Sequence, residues 1–400
     1  MHKILFVTCC PSPSRVDFFN SIGKDNSIDL TVVFMESEEE QHHRSPKWFA
    51  VNKFENFKCV FLHDRVGNKN KQYYGYVSKD IIKELKKEYD EIIFGGYAYP
   101  TFMFGMLYLI NRRIPYSIEV DGGFVSKDSL FKQKIKKYYI GHANKWYSSG
   151  KNTDKYLVYY GAKESGIIHY PFTSLTEKDF CRAWDCNKSQ LKEFLSSISS
   201  NPNVFYKRKK TLKHEACTIL SIPEKKVIVT IGQFIHRKGF DVLLDAAKGI
   251  DSDIIIYIIG GVAPLEYTKY VEDNRLTNVF FVDFLSKEEM KIYLWAADLF
   301  VLPTRMDIWG LVINEAMAYG LPIISTDKCN SALELVSDNN GTIIPSDDAL
   351  ALKNAINNYF ENYLSDDMGR NSLLKIQNYT IENMAKRHIE IWGDLNENNS

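Results

Sequence analysis

The chain lacks any long apolar run. No stretch approaches the roughly 20 apolar residues that a membrane-crossing helix needs. The apolar start, Ile4 to Thr8, runs into Cys9, Cys10 and Pro11 well short of the roughly 7–15 residues of a signal-peptide core. These absences predict a soluble or peripheral protein. Cysteine is sparse and unpatterned: Cys9, Cys10, Cys59, Cys181, Cys186, Cys217 and Cys329 form no CxxC pair and have no histidine at zinc spacing, which argues for reduced thiols rather than a disulfide framework or zinc module. No Gly-Lys-Ser/Thr phosphate loop occurs, and no repeat of 20–50 residues is visible. Charge of one sign is also missing. Fifty Lys and Arg balance fifty Asp and Glu, so nothing global argues for wholesale binding to nucleic acid. The balance is nevertheless uneven along the chain. Residues 101–250 carry 25 basic and 13 acidic side chains and residues 251–400 carry 11 and 23, a split of +12 and −12.

What is present is an ordinary globular composition over 400 residues, 45% hydrophobic and 25% charged, enough for two or three domains. Short β-branched or apolar runs of strand length recur at Ile4–Thr8, Asp29–Phe34, Cys59–Leu62, Ile92–Phe94, Tyr116–Val120 and Tyr156–Tyr159. Helical periodicity falls between several of them, as over Ser78–Tyr89. A second series repeats the pattern at Val227–Ile231, Asp253–Ile259, Val279–Val282, Leu299–Leu302, Ile323–Ser325 and Thr342–Ile344. Helices are predicted over Phe240–Ala247, Lys287–Ala297 and Leu311–Tyr319, the last closed by Gly320 and Pro322. Such alternation implies α/β layers with parallel sheets. The expected organisation is a Rossmann-like domain at 1–173 joined by a C-terminal helix within 376–400, a polar connector at 174–222 with the basic run 207–210, and a second Rossmann-like domain at 223–375. Ligands of open α/β sheets bind at the carboxyl ends of strands, so the chemistry is expected in the loops that follow them.

Two such loops stand out. Residues 302–322 read LPTRMDIWGLVINEAMAYGLP: a strand, a loop through Asp307 and Gly310, and a helix from Leu311. Gly310 permits close backbone approach, and the free amides of Gly310, Leu311 and Val312 suit a phosphate. Asp307 and Glu315 flank that helix start and can accept sugar hydroxyls. An ordinary crossover helix with an acidic first turn fits the same spacing. Residues 231–241 read IGQFIHRKGFD, in which Gly232 and Gly239 bracket Gln233, Arg237 and Lys238. Arg and Lys there suit diphosphate oxygens, and a solvated charge pair in a turn would look alike.

Together these elements resemble the retaining glycosyltransferases of family 4, in their polysaccharide-assembly branch, which have the GT-B fold. The resemblance spans nearly the whole chain and is densest from Val227 to Ile344. It implies two Rossmann-like domains facing each other across a cleft. By position in the motifs, Lys238 would bind the donor diphosphate, Glu315 the nucleotide ribose and Asp307 the transferred sugar. Gly310, Leu311 and Val312 would bind phosphate, Gly261 would lie near the nucleotide, and Phe284 would line the base pocket. The chain departs from the family pattern at two points: Asp307 stands for the first Glu of the Glu-x7-Glu motif, and Gln233 for the usual Arg, a loss that Arg237 can make good. In the first half, the loop CPSPSRVDFF with Ser14 and Arg15 matches the acceptor-side loop. Glu119 to Gly123 ends a strand where many members carry a histidine, and Asp121 there could accept a sugar hydroxyl, assist acceptor deprotonation, or merely turn the chain.

The resemblance further implies transfer of a hexosyl group from a nucleotide-diphosphate sugar, with a UDP-sugar favoured, to a glycan carried on a polyprenyl lipid, in capsule, O-antigen or similar cell-surface polysaccharide synthesis. Neither a metal nor a resident cofactor is expected. Residues Lys127 to Lys151 hold seven Lys against one acid, interleaved with Phe131, Tyr138, Tyr139 and Trp146. That stretch suits an anionic membrane surface, equally a core helix with a solvated face. The expected location is the cytoplasmic face of the cell membrane, peripherally attached, with no nucleic-acid partner. Two other readings stay open: a nucleotide-sugar 2-epimerase of the same fold, and a nucleotide-sugar-binding protein without turnover.

Overall fold

A computed structural model describes residues 1–36, 53–67, 75–363 and 367–397. The chain forms two units, Met1–Ser174 with Thr380–Ser400, and Leu175–Tyr379.

Unit 1 contains strands β1 (His2–Thr8), β2 (Ile28–Phe34), β3 (Lys58–Phe61), β4 (Arg65–Gly67), β5 (Tyr76–Ser78), β6 (Glu91–Gly95), β7 (Ser117–Val120), β8 (Lys145–Ser148) and β9 (Ile167–His169). Seven of them form one sheet in the order β3-β2-β1-β6-β7-β8-β9, and β4 pairs with β5 alone. Every neighbour in the large sheet is parallel. The last five residues of β1 are buried, as expected of a parallel strand covered on both faces. The C-terminal helix Ile381–Glu397 belongs to this unit and packs on the helix Pro13–Ile22.

Unit 2 has a six-stranded parallel sheet built from β10 (Val227–Ile231), β11 (Ile255–Ile259), β12 (Val279–Val282), β13 (Leu299–Leu302), β14 (Ile323–Thr326) and β15 (Gly341–Ile344), in the order β12-β11-β10-β13-β14-β15. β10 and β11 are buried throughout. In each sheet the winding reverses beside a central strand, between β1 and β6 in unit 1 and between β10 and β13 in unit 2. Such reversals are where doubly wound sheets bind ligands.

Three expectations are corrected. Tyr156–Tyr159 is the end of a helix, Lys151–Tyr159, that forms the crossover between β8 and β9. The periodic stretch over Ser78–Tyr89 yields only a short helix, Ile81–Leu85. The segment read as a polar connector, helical around Lys188–Leu195, has that helix as Lys188–Ser200 but adds two more, Glu177–Ala183 and Pro202–Ile219, and all three are built into unit 2. Trp184 donates to the Ala318 carbonyl at 2.9 Å and Trp295 donates to the Ala183 carbonyl at 2.7 Å. Two residues of the basic run are likewise used inside the unit, while Lys207 and Lys210 stay exposed: Arg208 donates to the Trp184 and Asp185 carbonyls, and Lys209 to those of Leu294 and Tyr319.

Candidate functional site

In unit 2 the two loops predicted to carry chemistry follow β10 and β13, the strands that flank the reversal. After β10 the chain turns at Gly232, passes Gln233 and makes a short 3-10 turn, His236–Lys238, that ends on Gly239. Gly239 has φ +68°, and a Cβ there would meet the Pro303 carbonyl oxygen at 2.0 Å. Only glycine lets this turn lie against the loop after β13. Thr304 Oγ1 and the Arg305 amide both donate to the Arg237 carbonyl at 2.8 Å, which ties the two loops together.

Arg237 and Lys238 therefore converge on Asp307. Lys238 Nζ lies 2.6 Å from Asp307 Oδ2 and Arg237 Nη1 lies 3.1 Å from Oδ1, with the Lys238 and Asp307 side chains largely buried. Arg237 also donates to the Met306 carbonyl at 2.7 Å. Two cations share one carboxylate, so the loop pair carries a surplus positive charge. Beside it, Gly310 (φ +98°) starts the helix Leu311–Ala318. A Cβ on Gly310 would sit 2.6 Å from Cys329 Sγ. The first amides of that helix have no acceptor within it and carry the positive end of its dipole. Cation pair and helix start together form a place for an anion.

The other expected residues lie in the turns after β10, β11 and β12 and in the helix that Gly310 starts. Gly232 packs on the Lys238 stem, its Cβ position 3.2 Å from Lys238 Cε. A Cβ on Gly260 would meet the Gly232 carbonyl oxygen at 1.7 Å, which brings the turn after β11 against the turn after β10, and Gly261 (φ +114°) faces open space. Gln233 is exposed. Phe284, in the loop after β12, is 77% exposed. Leu311 and Val312 are partly buried in the first turn. Glu315, further along the same helix, lines a half-open pocket with Leu285, Met290, Tyr319, Asp179 and Arg182. Asp179 and Arg182 come from the segment read as a connector, where sequence patterning offered no hint of a site.

Arg305 is a residue of this loop pair that the motifs did not reveal. Its guanidinium grips Asp241 with two bonds of 2.8 and 2.6 Å, pairs with Asp347, and donates to the His236 carbonyl at 2.8 Å. The Arg305 hydrogen bonds hold the Asp241 carboxyl below its usual range against the effect of burial. The clamp fixes the turn that carries Arg237 and Lys238. Its only trace in the sequence is a cation two residues before Asp307 and an acid two after Gly239.

In unit 1 the expected residues also gather at the reversal. Ser14 is partly buried in the first turn of the helix Pro13–Ile22. One residue on, the Arg15 guanidinium bonds Glu119 with one amino group and Asp121 Oδ1, at 2.7 Å, with the other. Tyr170 donates to the same Asp121 oxygen at 3.1 Å. Burial among these groups, reinforced by the Glu119 charge, pushes the Asp121 carboxyl up against the pull of Arg15. The stretch 127–151 divides into the helix Leu130–Gly141 and β8. Leu130 and Phe131 are 77% and 73% exposed, and Lys127, Lys132, Lys134 and Lys137 are exposed with them. Lys136 pairs with Asp128 at 2.6 Å. Among the described residues no helix is long and apolar enough to cross a membrane, and no cluster of three His, Cys, Asp or Glu could hold a metal ion.

Two parallel, doubly wound sheets with the candidate residues at their reversals define an α/β protein of the GT-B type. A solved structure of HepE from Anabaena in complex with UDP and glucose covers 98% of this chain and 100% of its own with a TM-score of 0.65; at 16% identity the likeness establishes the fold. Residues 218–375, which lie within unit 2 and include every strand of its sheet, match the family model described as Glycosyl transferases group 1. A Klebsiella pneumoniae protein described as an uncharacterized 41.2 kDa protein in the cps region is 26% identical over 41% of this chain and 44% of its own length. The lipopolysaccharide glucosyltransferase WaaG of Escherichia coli is 24% identical over 36% and 37%. The matched segments thus span less than half of these two relatives.

Proposed function

We propose that the protein is a retaining glycosyltransferase that moves a hexosyl group from a nucleotide-diphosphate sugar to a hydroxyl of a lipid-linked glycan during assembly of a cell-surface polysaccharide. The observation that carries this reading is the pair Arg237 and Lys238 drawn onto Asp307 beside the Gly310 helix start. A donor diphosphate takes the surplus positive charge, Lys238 bonding its oxygens while Asp307 turns to the hydroxyls of the transferred sugar. Glu315 holds the ribose. The UDP complex of HepE supports a UDP-sugar, and the likeness to the lipopolysaccharide glucosyltransferase WaaG supports this class of pathway.

In the reaction the bond from the anomeric carbon to the diphosphate breaks as the bond to the acceptor oxygen forms on the same face, and the departing phosphate oxygen takes the acceptor proton. The protein's part is to orient both substrates and to stabilise charge on the leaving group. Lys238, Arg237 and the helix amides supply the positive charge for that task without a metal. Asp121 accepts a hydrogen bond from the acceptor hydroxyl, and Ser14, one residue before Arg15, also serves the acceptor. The exposed Leu130, Phe131 and lysines of the helix Leu130–Gly141 rest on the anionic inner face of the cell membrane, where such an acceptor is carried.

A thermal-shift series with UDP-, GDP-, ADP- and dTDP-sugars tests the donor site, because a ligand bound only by the folded state raises the melting temperature. One nucleotide class, expected to be UDP, stabilises the wild type, and Lys238→Ala or Glu315→Ala loses both that stabilisation and sugar transfer while the ligand-free melting point changes little. Full turnover in both variants would sink the assignment. Binding with no transfer to any glycan acceptor would favour a binding protein instead.

A further inference from the structure

The unit 1 network extends beyond Arg15 to a residue 269 positions from Glu119 in sequence. His388, on the C-terminal helix Ile381–Glu397, is fully buried among the rings of Phe18, Tyr147, Tyr170 and Trp392. Its Nδ1 lies 2.8 Å from the Met384 carbonyl oxygen and its Nε2 lies 3.0 Å from Glu119 Oε2. A carbonyl only accepts. Glu119 accepts as well: although burial opposes its charge, Arg15 and His388 together keep the carboxyl below its usual range. Nδ1 therefore donates to the carbonyl, and Nε2 is the ring atom that engages Glu119. The Arg15 guanidinium between Glu119 and Asp121, with His388 hydrogen-bonded to the other Glu119 oxygen, is what makes a fully buried carboxylate tolerable.

The connectivity is a single line. His388 holds one oxygen of Glu119, and Arg15 holds the other. The remaining amino group of Arg15 holds Asp121 Oδ1. Among the described residues both hydrogen bonds to Asp121 fall on Oδ1. Asp121 keeps 37% of its side chain exposed, whereas Glu119 is wholly buried. The guanidinium cannot swing to suit Asp121 alone, because its other edge is fixed and its plane is packed against Phe6, Phe18 and Phe172.

We infer that His388 is a positioning residue for Asp121: by fixing Glu119 it sets the Arg15 guanidinium, which aims the Asp121 carboxylate at the acceptor hydroxyl. The inference rests on the acceptor role proposed for Asp121. His388→Phe keeps the ring and its packing and removes the donor. His388→Gln restores an N–H toward Glu119.

Crystal structures of both variants decide the geometry. The expected result is a displaced Arg15 and an Asp121 in a new or divided rotamer in His388→Phe, with native positions in His388→Gln. Should His388→Phe fail to fold, Glu119→Gln, which keeps the shape and removes the charge, replaces it with the same expectation. Kinetics with UDP-glucose and farnesyl-diphosphate-linked N-acetylglucosamine decide the consequence. We expect His388→Phe to lose roughly 10–100-fold in kcat with the donor KM unchanged, as misorientation of a reacting group does, and His388→Gln to recover most of it. In an Asp121→Asn background the His388→Phe loss should nearly vanish, since both changes act on one carboxylate. Native Arg15 and Asp121 positions in His388→Phe, equal damage in both His388 variants, or losses that multiply with Asp121→Asn would each overturn the inference. If the wild type does not turn over this acceptor, or Asp121→Asn is fully active, the acceptor role fails instead, and the crystal structures still decide whether His388 sets Asp121.

Discussion

Lys209 should be a cost to the protein at neutral pH. It stands on the helix Pro202–Ile219, and its ammonium reaches two carbonyl oxygens, Tyr319 at 3.1 Å and Leu294 at 3.5 Å. The nearby carboxylate, Asp298, is already taken by Lys213 at 2.6 Å. Burial, only partly offset by Asp298 and aggravated by Lys213, pulls the Lys209 ammonium down to about 7 from an ordinary 10.5. At ~1.4 kcal/mol per tenfold change in proton affinity, the ceiling on that cost is roughly 5 kcal/mol. Replacing Lys209 with Met removes the cost and also two hydrogen bonds worth about 1 kcal/mol each. Solvent reaching this partly exposed side chain lowers the ceiling further, leaving a net gain of roughly 1–3 kcal/mol. For a unit of about 200 residues each kcal/mol moves the melting point by ~2–4 °C, so Lys209→Met should melt a few to roughly ten degrees higher at pH 7. The sign with pH follows from linkage. Below about 7 Lys209 is charged in both states and the penalty is full. Between about 7 and 10.5 the unfolded chain binds the extra proton, so wild-type stability rises with pH and the advantage of Met shrinks. Thermal unfolding at pH 7 and pH 10 measures this. A variant less stable than wild type at pH 7, or a gain that does not change with pH, refutes the reasoning.

Two glycine substitutions separate backbone strain from steric conflict. Gly261→Ala meets only the strain of φ +114° in open space and should cost ~1–2 kcal/mol, whereas Gly310→Ala adds a 2.6 Å approach to Cys329 Sγ and should cost ~2–5 kcal/mol with loss of nucleotide-sugar binding. Equal unfolding costs would contradict that account. Arg305→Ala should release the turn carrying Lys238 and weaken nucleotide-sugar binding at least tenfold in calorimetry, with Arg305→Lys recovering little because one ammonium cannot bridge Asp241 and Asp347. Co-sedimentation with phosphatidylglycerol vesicles should fall on Phe131→Ser or on Lys132→Glu with Lys134→Glu; unchanged binding in both would remove this helix from the proposed membrane contact.

The strands most legible in the sequence are those buried on both faces, such as β10 and β11, whose composition leaves no other reading. Tyr156–Tyr159 misleads because tyrosine and valine favour strands locally, whereas a parallel neighbour for β8 demands a crossover helix at that point. β8 and β9 are short and lie beside lysines and glycine, so neither showed an alternating pattern. The residues proposed for the donor side, Lys238, Asp307, Gly310 and Glu315, could be picked out because each sits in a short motif next to a strand end. Arg305 and His388 were not, since their partners lie 64 and 269 residues away. No periodicity records a contact made only after the sheet has formed.

The charge split along the chain changes meaning once the fold sorts it. Unit 1 carries 27 basic and 23 acidic residues and unit 2 carries 23 and 27, so +12 and −12 by segment become +4 and −4 by unit. The basic half of the middle segment folds with the acidic end of the chain and is paired there: Arg182 with Glu288, Lys213 with Asp298, Lys225 with Asp253, Lys238 with Asp307. A whole-domain field therefore cannot supply the proposed attraction to an anionic surface. The attraction has to come from the exposed Lys127, Lys132, Lys134 and Lys137, at ~1 kcal/mol each near such a surface, with Leu130 and Phe131 adding apolar contact. A few kcal/mol spread over exposed lysines is screened by salt, whereas the partly buried Lys238 and Asp307 pair is screened much less. Raising ionic strength should thus strip the protein from vesicles before it disturbs the donor site.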